Sequence, residues 1–196
     1  WLEFRRVLFR SIKKYKDLED FKLTIRLDPY PADIPAYSEI LPACPKLKSF
    51  EVDTSVTITD YNFKYNYYPR QQLTPTFLNN FQIAMCLPNL SKLKLGFANS
   101  YYIDAESLKT LISIIQNCKN LKELHLLFDY ALKPNALDEL AKLFPHMTQL
   151  IELGLDLRKL LKGDFYKVFK ILKYLKNLET LILRVSENKI ITDVQM

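Results

Sequence analysis

The stretch LKELHLLF, residues 121–128, is followed 29 positions on by LIELGLDL, residues 150–157, and after another 28 by LETLILRV, residues 178–185. Each sets leucine in the order Leu-x-x-Leu-x-Leu. Working outward, LSKLKLGF occupies residues 90–97, LKSFEV residues 47–52 and LEDFKLTI residues 18–25. The first leucines, Leu18, Leu47, Leu90, Leu121, Leu150 and Leu178, are separated by 29, 43, 31, 29 and 28 positions. One copy would mean nothing in an apolar chain. Six at a near-constant period define an internal repeat.

Within each copy apolar and polar residues alternate, the periodicity of a strand whose successive side chains face opposite ways. Between copies the apolar spacing shifts to that of one helix stripe. Asp104 stands ahead of Leu108, Leu111, Ile112 and Ile115. Asn135 stands ahead of Leu137, Leu140, Ala141 and Phe144, and Asp164 ahead of Phe165, Val168, Phe169 and Leu172. Their side-chain oxygens can accept from the free N–H groups of a first helical turn, so each predicts a helix start. Ile34, Tyr37 and Leu41, then Phe77, Phe81 and Met85, sketch two earlier short helices. The alternation predicts an α/β fold of about six repeats: a right-handed β/α solenoid with parallel strands on the concave side of an arc and helices outside. Neighbouring units must share one core, because no unit can cover both faces of its own strand.

The pattern resembles the leucine-rich repeats of ribonuclease-inhibitor type, across residues 15–191. That resemblance implies long β/α units of this period, with the residues between the buried leucines forming ladders across the strands. In LETLILRVSENKI, residues 178–190, Asn188 and Ile190 fit an extended LxxLxLxLxxNxI register. Long units of this kind are similar to those of many large repeat proteins of single-celled eukaryotes. At the matching late position the other copies hold Leu160, Ala131 or Ser100, a departure from the family's asparagine ladder that leaves the turn geometry open.

Composition narrows the function. Apolar residues make up 48% of the 196 and charged residues 26%, enough to bury a core. With 3 glycines and no GxGxxG or GxxxxGK[ST], no phosphate-cradling loop is expected. No apolar run approaches the roughly 20 residues of a membrane helix. Cys44, Cys86 and Cys118 form no CxxC pair, which argues against a disulfide framework or a zinc cage and for a reducing, cytoplasmic setting. Cys44 and Cys118 lie three residues before Leu47 and Leu121, where other copies hold Tyr15, Met147 and Leu175, so they read as core residues. Cys86 lies one step out of register.

Residues 2–11, LEFRRVLFRS, resemble the in-frame translation of a short-read sequencing adapter, the alternative being a basic targeting or nucleic-acid arm. Without Glu3, Arg5, Arg6 and Arg10 the net charge falls from +6 to +4, too small to demand an anionic partner. The expected organisation is therefore an adapter-derived segment at 1–11 and a repeat domain at 12–196, truncated at both ends.

The polar positions of the strands are the candidate site. One ladder reads Lys22, Glu51, Lys94, His125, Gly154, Ile182; the next Thr24, Asp53, Gly96, Leu127, Asp156, Arg184. A third reads Arg26, Ser55, Ala98, Asp129, Arg158, Ser186. A phosphate-binding surface would be dominated by lysine and arginine. Mixed charge with apolar spots suits a protein partner instead, against the plainer reading of a solvated sheet face. The lengthened second repeat carries DTSVTITDYNFKYNYYPRQQ, residues 53–72. There Tyr61, Phe63, Tyr65, Tyr67 and Tyr68 interleave with Lys64 and Arg70. This insertion reads as a hairpin or loop over the repeat edge, as a protein contact, or as a stacking surface for single-stranded nucleic acid. His125 and His146 fall on different elements, with no group placed to activate Cys118 beside them. The expectation is a non-catalytic protein-binding module without cofactor or metal. The alternatives are a nucleic-acid contact through the insertion, or the regulatory or substrate-receiving part of a larger kinase or ubiquitin-ligase protein.

Overall fold

A computed structural model describes residues 11, 14–24, 43–53, 71–72, 88–97, 101–128, 137–157 and 165–185. The six repeat copies each supply one strand: β1 (Asp20–Thr24), β2 (Ser49–Asp53), β4 (Lys92–Gly96), β6 (Glu123–Leu127), β7 (Glu152–Leu157) and β8 (Thr180–Val185). They form one sheet in the order β1-β2-β4-β6-β7-β8, every described pair parallel. Two short strands, β3 (Gln71–Gln72) and β5 (Tyr101–Tyr102), pair in parallel as a second sheet. The end of the 53–72 insertion is thus paired; Tyr61 to Arg70 lie outside the described residues.

Register is set by the leucines. Phe21, Phe50, Leu93, Leu124, Leu153 and Leu181 stand opposite one another in turn, and so do Leu23, Val52, Leu95, Leu126, Leu155 and Leu183. A slip of one residue would turn the whole set toward water. Stacked rings continue the pattern, Phe21 on Phe50 at 5.6 Å and Phe97 on Phe128 at 5.7 Å between centroids. Leu90, Leu121 and Leu150 are buried as the repeat requires, while Leu178 is partly buried.

Five of the six strands of the main sheet are entered in the same way. The N–H of Leu18, Leu47, Leu121, Leu150 and Leu178 donates to the carbonyl three residues earlier, at 3.1–3.2 Å, closing a tight turn. The turn's first residue is Tyr15, Cys44, Cys118, Met147 or Leu175, which explains the recurring apolar position. Cys44 and Cys118 are buried, the Cys118 thiol donating to the Ile114 carbonyl at 3.9 Å. Burial pushes the Cys44 thiol up from its ordinary value, which favours the protonated form. One carbonyl of each repeat then takes two N–H groups from the next. Lys48 accepts from Ser91 and Lys92, Ser91 from Lys122 and Glu123, and Lys122 from Ile151 and Glu152, all at 2.8–3.0 Å. Side-chain amides add a third tie: Asn89 donates to the Pro45 carbonyl at 3.1 Å, Asn120 to Pro88 at 2.5 Å and Asn177 to Thr148 at 2.8 Å. An asparagine ladder therefore exists immediately before the first leucine of a repeat; the late position considered from sequence lies outside the described residues.

The helices cover one side of the sheet. In α1 (Ala105–Gln116) the Asp104 carboxylate accepts from the Ser107 N–H at 2.9 Å, and Leu108, Leu111, Ile112 and Ile115 are buried as predicted. Among the described residues the next unit holds α2 (Leu137–Leu140), followed by a 3-10 turn at Phe144–His146. Pro145 supplies no N–H there to continue an α-helix. Leu137, Leu140 and Phe144 are buried and Ala141 packs against them. In α3 (Phe165–Leu172) the expectation fails for Phe169, which is 53% exposed. The buried stripe is Val168, Ile171 and Leu175, at steps of three and four, so Phe169 falls one position past the covered face. The helices sketched near Tyr37 and Phe81, the caps Asn135 and Asp164, and Cys86 lie outside the described residues.

Leu124 is fully buried at the centre of the spine, and Leu124→Ala should lower unfolding free energy by about 2–5 kcal/mol in chemical denaturation. Phe169→Ser should change it by less than about 0.5 kcal/mol. Asp104→Ala, which removes the α1 cap, should cost about 1 kcal/mol.

Candidate functional site

The sheet face turned away from the helices carries the polar side chains. Strand pairing brings Lys22, Glu51, Lys94, His125, Gly154 and Ile182 side by side, and beside them Thr24, Asp53, Gly96, Leu127, Asp156 and Arg184. Both rows match the ladders read from the sequence. The third, including Asp129 and Arg158, lies outside the described residues, as do Tyr61, Tyr65, Tyr67, Tyr68 and Arg70. His146 sits exposed in the 3-10 turn, away from His125.

A row at the strand entrances escaped the sequence reading: Asp20, Ser49, Lys92, Glu123, Glu152 and Thr180. It occupies the second variable position of Leu-x-x-Leu. Two residues before the first ladder in each strand, it must share that ladder's face. The alternation rule, extended one step toward the N-terminus, would have found it.

The new row carries much of the electrostatics. Glu51 lies 3.4 Å from both Lys22 and Lys92, and Lys92 lies 3.1 Å from Glu123. Four side chains from four strands, β1, β2, β4 and β6, are thereby joined in one chain of alternating charge. Burial pushes the Glu51 carboxyl up, but hydrogen bonds and charge from Lys22 and Lys92 outweigh it and hold the group below its ordinary value. The hydrogen bond from Lys92 to Glu123 raises the Lys92 ammonium above its ordinary value, with Glu51 adding to the effect. Further along, His125 Nε2 is 2.9 Å from a Glu152 oxygen, and the imidazole is only 14% exposed. The glycine beneath explains its seat: a Cβ on Gly154 would lie 2.9 Å from the ring Cγ and closer still to Nδ1. The ring fills the space that glycine leaves.

One residue departs from the picture of an exposed ladder. Asp156 is buried at 1%, with the Arg184 guanidinium 3.9 Å from its carboxylate. The pair is a long one, and Arg184 is itself 63% exposed. Ile182 stands 40% exposed next to them, an apolar spot among charges. Glu123, His125 and Glu152 offer one nitrogen and two carboxylate oxygens within 4.8 Å of one another. No metal group was anticipated from the sequence, because Glu123 and Glu152 belong to the overlooked row. Among the described residues no helix is long and apolar enough to cross a membrane.

Comparison with solved structures places this sheet among leucine-rich-repeat-like folds. A chain described as leiomodin-1 actin-binding site 2 matches with a TM-score of 0.54 at 16% identity, over 85% of this chain and 86% of that one. The tropomodulin C-terminal domain of Caenorhabditis elegans matches with a TM-score of 0.51 at 12% identity, over 85% and 92%. Identities this low establish the fold and leave the site to this chain's own residues. No family model matches the chain, and no curated protein does.

Gly154→Ala should drive the His125 ring off its seat and break its contact with Glu152, visible as changed imidazole nitrogen shifts in NMR. The lowered Glu51 carboxyl contributes stability above its ordinary value of 4.5, and that contribution fades as pH falls through the lower folded value. Glu51→Gln should therefore flatten the loss of thermal stability between about pH 6 and about pH 3 relative to wild type.

Proposed function

We propose that the chain is a non-catalytic, cytoplasmic protein-binding module. In this reading its units form a right-handed β/α solenoid of ribonuclease-inhibitor type whose concave face receives the partner. The repeat period, the all-parallel strand order and the strong preference for right-handed crossovers support the architecture.

The observation that carries the functional reading is the open face itself. Several of its charged groups are already tied to neighbours, from Lys22 through Glu51 and Lys92 to Glu123, and Arg184 lies 3.9 Å from Asp156 beside exposed Ile182. Side chains fixed before binding lose less freedom on contact, which favours recognition of a shaped protein surface. Among the described residues the charges alternate rather than accumulate, without the lysine and arginine excess that a nucleic-acid backbone selects.

Actin is the first partner to test, because one chain of this fold is described as an actin-binding site. Fluorescence anisotropy against monomeric and filamentous actin should show binding that weakens about ten-fold or more in Arg184→Glu and Ile182→Asp. Lys142→Glu, on the helix side, should bind as wild type. Absence of any binding removes actin as the partner. A photo-crosslinker at position 182 that captures no specific protein from cell extract, while one at position 142 does, would count against the open face itself.

A further inference from the structure

Glu123 and His125 are two residues apart on β6 and so project from the same face, and Glu152 is the strand partner of Glu123 on β7. Two carboxylates therefore stand directly side by side, an arrangement that costs stability unless a positive charge comes between them. Lys92 approaches from one flank at 3.1 Å from Glu123, and His125 bridges to Glu152 at 2.9 Å. The imidazole is fixed by its seat over Gly154, so it reaches this position without needing to search rotamers.

We propose that Glu123, His125 and Glu152 form a zinc-binding site on the open face, with one imidazole nitrogen and one oxygen of each carboxylate as ligands. The donor atoms lie within 4.8 Å of one another. Zinc bonds of about 2.0–2.2 Å place tetrahedral ligand atoms about 3.4 Å apart, a difference that rotation of the two glutamate side chains closes. One nitrogen with two oxygens suits zinc better than magnesium or calcium, which take oxygen donors. Three protein ligands leave a fourth position for water or for a side chain from outside. On entering, the ion displaces the hydrogen bond between His125 and Glu152 and competes with Lys92 for Glu123. Lys92 is thus a resident rival of the ion, and its removal should tighten binding.

The test uses the full chain, stripped with chelator, titrated with Co2+ and then with Zn2+, and followed by visible absorption and thermal unfolding. The expected result is one equivalent of cobalt with the absorption of a nitrogen-oxygen site, displaced by zinc, and a raised unfolding temperature; Mg2+ should do neither. His125→Ala and Glu152→Gln should each weaken binding about ten-fold or more. Lys92→Gln should strengthen it by about five-fold, and Cys86→Ser should leave it unchanged. Unfolding temperatures without metal establish that each variant is folded; if His125→Ala is not, Glu152→Gln decides. A wild-type protein without cobalt absorption overturns the proposal. So does binding that survives Glu152→Gln, weakens in Lys92→Gln, or carries a sulfur charge-transfer band lost in Cys86→Ser.

Discussion

Leu93, Leu124 and Leu153 stand next to one another in successive strands, and none could be shielded from water by its own unit. A strand of five or six residues and one short helix enclose too little volume to bury a leucine on every side. Each repeat therefore contributes half of its neighbour's interior, and the sheet holds only as a stack. Parallel pairing follows, because each strand must begin at the same end once the covering helix has carried the chain back. The doubly accepting carbonyls of Lys48, Ser91 and Lys122 fix the step between units. Together they leave little freedom in register, and the arrangement of the open face is inherited from that.

The charges on the turns and helices repeat with the same step. Lys46 meets Asp17 at 2.5 Å, Lys48 meets Glu19 at 2.7 Å and Lys167 meets Asp138 at 2.9 Å, each pair 29 residues apart. Exposed pairs of this kind contribute little to stability, because water screens them. Their value lies in register, since a unit shifted by one residue would lose them together with its buried leucines. On the open face the pairs run diagonally as well, so the surface balances its own charge.

Much of this was legible in the chain. The leucine period fixed both ladders residue by residue, because alternation within a strand and equivalence between strands are geometric consequences of the repeat. What escaped reading depends on contacts beyond the repeat. Phe169 and Ile171 are both apolar on one short helix, and only the packing of neighbouring units decides that Ile171 is covered and Phe169 is not. Asp156 occupies a nominally outward position, yet it is buried beside Arg184. The convergence of His125 with Glu152 needed the entrance row and depends on the missing side chain at Gly154, a fact about one neighbour that no period encodes.

The step from Phe50 to Leu93 is made in the same register as the step from Leu124 to Leu153, although 43 residues separate the first pair and 29 the second. The sheet thus counts strands and is indifferent to the length of tether between them. Such a scaffold is permissive at that point: sequence can be spliced in, lengthened or exchanged between β2 and β4 while the stacking on either side is preserved. New contacts can be acquired there by simple growth of the connection, without renegotiating the interior.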